Sequence, residues 1–118
     1  MTADPQAGVR LRRGDGGPQV AEIVLQRPAA LNAISTAMAR EIAAVVAAIA
    51  ADASVRAVVL ASSSDKAFCV GADLKERHAL TDDELRRQRP TARSAYRGVL
   101  DLPVPTIAAV HGYALGGG

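Results

Sequence analysis

Residues Val55 to Glu76 read VRAVVLASSSDKAFCVGADLKE, and the succession of patterns within this stretch sets the architecture. VRAVVLAS (Val55 to Ser62) is short, almost continuously apolar and bounded by polar residues, as expected of a strand buried on both faces of a sheet with helices outside it. SSSDKAFCVGAD follows as a loop, and a short helical stretch begins at Leu74. Gly71, Ala72 and Asp73 therefore describe a loop turning into a helix N-terminus, where backbone N–H groups lack helical partners and the helix dipole is positive. Such a place suits an anion or a developing oxyanion. The plainer alternative is that Gly71 makes a turn and Asp73 sits in the first turn of the helix.

Upstream, Val9 and Leu11 alternate with Arg10 and Arg12, GDGGP (Gly14 to Pro18) supplies turn chemistry, and VAEIVL (Val20 to Leu25) resumes apolar character. This predicts a β-hairpin, ended by Arg27-Pro28 because proline cannot donate to a ladder. From Ile34, the residues Met38, Ile42, Val45, Val46 and Ile49 recur at helical spacing, with Asn32 or Ser35 as the N-cap. Downstream, Thr81 and Glu84 have capping-box spacing and start another helix, which Pro90 should kink or split. DLPVPTIAAV (Asp101 to Val110) reads as a proline-bounded entry to a further buried strand. Strand, helix, strand in this order predicts an α/β fold.

The chain has 118 residues, enough for one small domain, with 49% hydrophobic and 22% charged residues but only 3% aromatic. Its core must therefore be built from Ala, Val, Leu and Ile. A net charge of +2 falls short of the balance of a dedicated nucleic-acid binder. One cysteine excludes an internal disulfide, no apolar run is long enough to span a bilayer, and MTADPQAGVR has no apolar signal core. A soluble cytoplasmic protein without membrane association is expected.

The final HGYALGGG (His111 to Gly118) is a second glycine loop after a strand. It matches neither GxGxxG nor a P-loop, which disfavours nucleotide binding by those routes. Two such loops suit a two-donor hole that neither makes alone. LQRPAALNAIS (Leu25 to Ser35), the Val55 to Glu76 stretch and LPVPTIAAVHGYALGGG (Leu102 to Gly118), in this order, resemble the enoyl-CoA hydratase/isomerase family, the crotonase superfamily. FCVGADLKER joined to DLPVPTIAAV is also similar to the methylglutaconyl-CoA hydratase branch.

The resemblance implies the ββα spiral of the crotonase (ClpP/crotonase-like) fold, with residues 1–118 as its N-terminal part, stopping after the second glycine loop. It implies that the backbone N–H groups of Ala72 and Gly117 bind the carbonyl oxygen of an acyl-CoA thioester. Val70, Gly71, Ala72, Asp73, Leu74 and Lys75 would meet coenzyme A, and Arg27 would lie near its phosphates. Coenzyme A is part of the substrate, so no cofactor and no metal are expected. The two glutamates that exchange protons in family hydratases fall after Gly118, and Glu22, Glu41, Glu76 and Glu84 lie in other segments. Hydration, dehydration or double-bond isomerisation of an enoyl-CoA is thus implied for a complete protein, as a homotrimer or hexamer. The chain alone is expected to be inactive, or to be a non-catalytic acyl-CoA-binding or interaction module.

Other residues invite chemistry without forming a pattern for it. His78 and His111 lack companions at ligand spacing and read as surface or strand-end residues. Cys69, within an apolar FCV run, reads as a small buried hydrophobe. Arg86, Arg89, Arg93 and Arg97 would align as a stripe if the helix survives Pro90. Such a stripe could meet CoA phosphates, an acidic partner or RNA, against the alternative of a solvated helix face.

Overall fold

The computed structural model describes residues 8–13 and 17–118. Strands β1 (Val9–Arg13) and β2 (Val20–Leu25) pair antiparallel, with Val9 opposite Leu25 and Arg13 opposite Ala21. The hairpin is therefore present, while Gly14, Asp15 and Gly16 of its expected turn lie outside the described residues. A single 3₁₀ turn (Pro28–Ala30) follows β2, opened by the proline whose missing N–H is harmless there.

Helix α1 (Thr36–Ala50) is capped by Ser35, whose Oγ accepts from the Met38 N–H at 3.1 Å. It leads into β3 (Ala57–Ser62), which lies parallel to β2. After β4 (Ala67–Cys69), the short helix α2 (Leu74–Ala79) and the long helix α3 (Asp82–Leu100), β5 (Thr106–Ala108) joins β3 in parallel. The main sheet has the order β1-β2-β3-β5, and β6 (Tyr113–Ala114) pairs with β4 in a second, two-stranded parallel sheet. Among the described residues no helix is long and apolar enough to cross a membrane.

The core lies on one face of the main sheet. Ala21, Ile23 and Leu25 of β2, with Val58 of β3, join Met38, Ile42, Val46 and Ile49 of α1 in one buried cluster, completed by Phe68 and by Ala95 of α3. Burying each of the larger side chains is worth about 1.5–3 kcal/mol. The opposite face of the sheet carries Glu22, Val59 and Ile107 in adjacent register. Here the expectation of a strand covered on both sides is corrected: in β3 only Val58 is buried, and β5 is exposed along its length. Apolar sequence alone does not say whether a second layer is present: on this face Val24 is buried, whereas Ile107 is exposed.

Helix α3 also departs from expectation, because it runs unbroken from Asp82 to Leu100 through Pro90. Thr81 Oγ1 accepts from the Glu84 N–H at 3.2 Å and donates to Glu84 Oε1 at 3.1 Å, so the capping pair holds the start. Pro90 is exposed, on the side away from Ala95, and the Arg86 carbonyl it deprives of a donor is on exposed chain where water can replace it. The cost is local. Pro90→Ala should raise stability by about 1–3 kcal/mol, less than the full helical penalty because proline also restricts the unfolded chain; urea denaturation measures it.

Candidate functional site

The site begins at a backbone reversal between β2 and α1. Leu31 and Asn32 both have left-handed backbone, with φ of 52° and 58°. Asparagine tolerates this conformation, and Asn32 uses its amide fully. Its Oδ1 accepts from the Arg27 N–H at 2.7 Å, while Nδ2 donates to Ser62 Oγ at 2.7 Å and to the Phe68 carbonyl at 2.9 Å. Asn32 is completely buried. It therefore ties the exit of β2 to the end of β3 and to β4, which leads into the first glycine loop, whereas Ser35 is the residue that caps α1.

The next segment fixes the first loop. The Ile34 N–H donates to the Gly71 carbonyl at 2.7 Å, and the Asp73 N–H donates to the Ile34 carbonyl at 3.1 Å, an isolated parallel bridge. In that geometry Ile34 engages the residues on either side of Ala72, so the Ala72 N–H faces away from it. Gly71 has φ of 87°, and a methyl group on it would stand 2.7 Å from the Leu115 carbonyl oxygen and 3.2 Å from the Gly117 nitrogen. The two glycine loops are thus in direct contact. Their junction is held by the Leu115 N–H donating to the Cys69 carbonyl at 3.0 Å and the Gly118 N–H to the Leu115 carbonyl at 2.8 Å. Among the described residues, the Ala72 and Gly117 amides donate to no protein group.

Two spaces meet at this junction. One is an apolar cavity of about 250 Å³ bounded by Ile34, Leu60, Phe68, Tyr96, Val99 and the Gly117–Gly118 backbone. The other is a more polar cleft of about 180 Å³ that includes Ser35, Ala72, Asp73, Arg77, Gln88 and Arg89. Ile34 and Tyr96 border both. Tyr96 had no motif to announce it, although its place one residue after Ala95 and three before Val99 on an amphipathic helix marks the inner face of α3.

Asp73 is the N-cap of α2, just outside the first turn, and accepts from the Glu76 N–H at 3.2 Å. Arg27 Nη1 donates to Asp73 Oδ2 and to the Ala33 carbonyl, both at 2.8 Å. The arginine is therefore held against the first glycine loop, with part of its charge balanced by Asp73. That guanidinium, with the Glu76 and Lys75 amides, holds the Asp73 carboxyl below its ordinary range against the opposing effect of burial. Asp73→Asn should cost about 1 kcal/mol at neutral pH after solvent screening. A depressed pKa stabilises the folded state above the unfolded value and ceases to do so as pH falls through the folded one. The difference between wild type and variant, measured by urea denaturation, should accordingly shrink below about pH 4.

The remaining candidates are spread out. Val70 is half-buried, with its N–H on the Leu31 carbonyl at 3.2 Å, while Leu74 and Lys75 are exposed at the start of α2. Cys69 is buried, its thiol bonded to the Asn32 carbonyl at 3.1 Å and pushed upward in pKa by burial. His111 bonds through Nε2 to the Ser64 carbonyl, and His78 is exposed on α2. Among the described residues no group of three or more His, Cys, Asp or Glu could hold a metal. Arg86, Arg89, Arg93 and Arg97 do line one open groove along α3, with Arg86 paired to Asp83 and Arg97 to Asp101.

This architecture is shared with solved proteins. An enoyl-CoA hydratase from Bacillus anthracis superposes with a TM-score of 0.86 at 36% identity, covering 94% of this chain and 42% of that one. The fold is that of the crotonases. A model of the enoyl-CoA hydratase/isomerase family matches residues 15–118, and the chain belongs to that family. An enoyl-CoA isomerase/hydratase of Zymoseptoria tritici is 44% identical over 103 residues, 85% of this chain and 34% of the relative. A methylglutaconyl-CoA hydratase of Pyricularia oryzae is 48% identical over 63 residues, 53% of this chain and 18% of the relative. The chain thus spans about a third or less of the length of these curated relatives.

Proposed function

We propose that this chain supplies the thioester-binding and carbonyl-polarising part of an enoyl-CoA hydratase/isomerase. The observation that carries this reading is the contact between the two glycine loops, which sets the unengaged Ala72 and Gly117 amides at the meeting of an apolar cavity and a polar cleft. Two N–H donors on one carbonyl oxygen stabilise the enolate that forms when the α-carbon of an acyl thioester loses a proton or when water adds at the β-carbon of an enoyl thioester. Each donor is worth on the order of 3 kcal/mol at the transition state. The acyl chain would enter the apolar cavity. Coenzyme A would follow Val70 to Lys75 along the cleft, its phosphates within the field of Arg27, Arg77 and Arg89.

With the carbonyl polarised, water adds across the adjacent double bond, is lost from the hydroxyacyl form, or the bond migrates through the enolate. The proton exchange requires an acid and a base. Glu76 lines neither the cavity nor the cleft, and its Oε1 is held by the Thr36 N–H and by Gln88, so it is not placed for this exchange. Glu22 is paired with Arg12. We therefore assign the acid–base step to residues outside this chain, and assembly into trimers or hexamers to the complete protein. A reducing compartment fits the single buried thiol.

Calorimetry with butyryl-CoA tests the reading. Binding that exceeds that of free coenzyme A, without hydration of crotonyl-CoA, is the expected result. No binding by the folded chain would refute the site, and hydration at an enzymatic rate would refute the external acid and base.

A further inference from the structure

The apolar cavity carries one side-chain oxygen on its wall. Of its two side chains with a heteroatom, Cys69 is committed to the Asn32 carbonyl, and the other is Tyr96. The ring tip of Tyr96 occupies the space that a side chain at position 117 would fill: a methyl group built there would meet the hydroxyl and would lie 2.6 Å from Cζ. Among the described residues the hydroxyl has no hydrogen-bond partner within the protein. Tyr96 also borders the polar cleft, so its hydroxyl stands where the two spaces adjoin.

We propose that the Tyr96 hydroxyl is a third donor to the carbonyl oxygen of a bound acyl thioester, beside the Ala72 and Gly117 amides; this rests on the thioester reading above. The warrant is steric and chemical together. A hydroxyl facing an otherwise apolar cavity is satisfied only by water or by a ligand. Tyr96 is pinned against the α-carbon whose own amide is one of the two proposed donors. Burial, followed by the influence of Cys69, raises the phenol above its ordinary pKa, which keeps it a neutral O–H donor at physiological pH. The ring meanwhile closes the acyl cavity beside Val99, so one residue acts on both the carbonyl and the chain attached to it.

The test compares two ligands that differ only at the carbonyl: butyryl-CoA, and S-butyl-CoA, a thioether with no carbonyl oxygen. By calorimetry, Tyr96→Phe should weaken butyryl-CoA about tenfold and leave S-butyl-CoA unchanged. Equal losses on both ligands would show that the residue only packs, and no loss on butyryl-CoA would show that it does not donate; either overturns the proposal while the thioester site stands. Failure of the wild-type chain to bind either ligand would sink the thioester reading, and this proposal with it. A second readout needs no loss of the hydroxyl. The chain has two tyrosines and no tryptophan, so in Tyr113→Phe the tyrosinate absorbance reports Tyr96 alone. Butyryl-CoA should move its ionisation to higher pH, S-butyl-CoA should not, and an unmoved midpoint with butyryl-CoA bound would overturn the proposal.

Discussion

Alanine at position 71 is expected to disable the carbonyl site and to destabilise the fold by about 2–4 kcal/mol. Two independent penalties combine there. The backbone at φ of 87° lies in a region where an L side chain costs about 1–3 kcal/mol. The added methyl group would also stand 2.7 Å from the Leu115 carbonyl oxygen and 3.2 Å from the Gly117 nitrogen, backbone atoms that cannot swing aside. The loops must separate, and separation is what the proposed oxyanion site cannot survive. In a complete protein carrying this segment, hydration should fall about 100-fold or more, as when one preorganised donor is lost. Gly116→Ala supplies the control: its φ is 55°, yet a methyl group there meets nothing within 4 Å. It should cost about 1 kcal/mol of stability, read by urea denaturation, and leave the rate largely intact. Equal losses in the two variants would show that strain, not the contact between loops, accounts for the effect.

What could be read from the chain in advance was whatever depends on neighbours in sequence. Ser35 and Thr81 cap their helices because a cap is a bond to a residue three positions away, and the spacing of Met38, Ile42, Val46 and Ile49 carries the buried face of α1 directly. The glycine loops were legible as loops for the same reason. Their contact was not, since nothing in VGADLK states that Gly71 will abut Leu115. Pro90 shows the opposite error: the local rule was correct about the missing hydrogen bond but silent on which side of the helix would be wet. The exposure of β5 was equally invisible, because apolar sequence reports what could be covered rather than what covers it. Arg27 and Asp73 were each singled out, but their pairing across 46 positions could be learned only from the fold.

Asn32 carries the largest effect that sequence reasoning weighed wrongly. As an alternative helix cap it would be worth about 1 kcal/mol, whereas its observed position predicts far more. Asn32→Leu should cost about 3–5 kcal/mol in urea denaturation. It leaves the Arg27 N–H and the Phe68 carbonyl without partners in the interior, and it places a branched side chain at φ of 58°. Asn32→Gly keeps the backbone conformation without an L side chain's penalty, but it leaves a cavity and loosens the unfolded chain. Asn32→Asp is the sharper probe. It preserves the acceptor for Arg27 but replaces the donors to Ser62 and Phe68 with a carboxylate that faces a carbonyl oxygen in the interior. Burial raises the folded pKa of such a group, so the unfolded state loses its proton first and stability falls as pH rises through the unfolded value. Lowering the pH toward 4 should therefore recover stability relative to wild type in Asn32→Asp, as the protonated acid regains a donor, whereas Asn32→Leu stays equally destabilised. A deficit in Asn32→Asp that does not change with pH would mean that Asn32 is not the buried link between the exit of β2 and the first glycine loop.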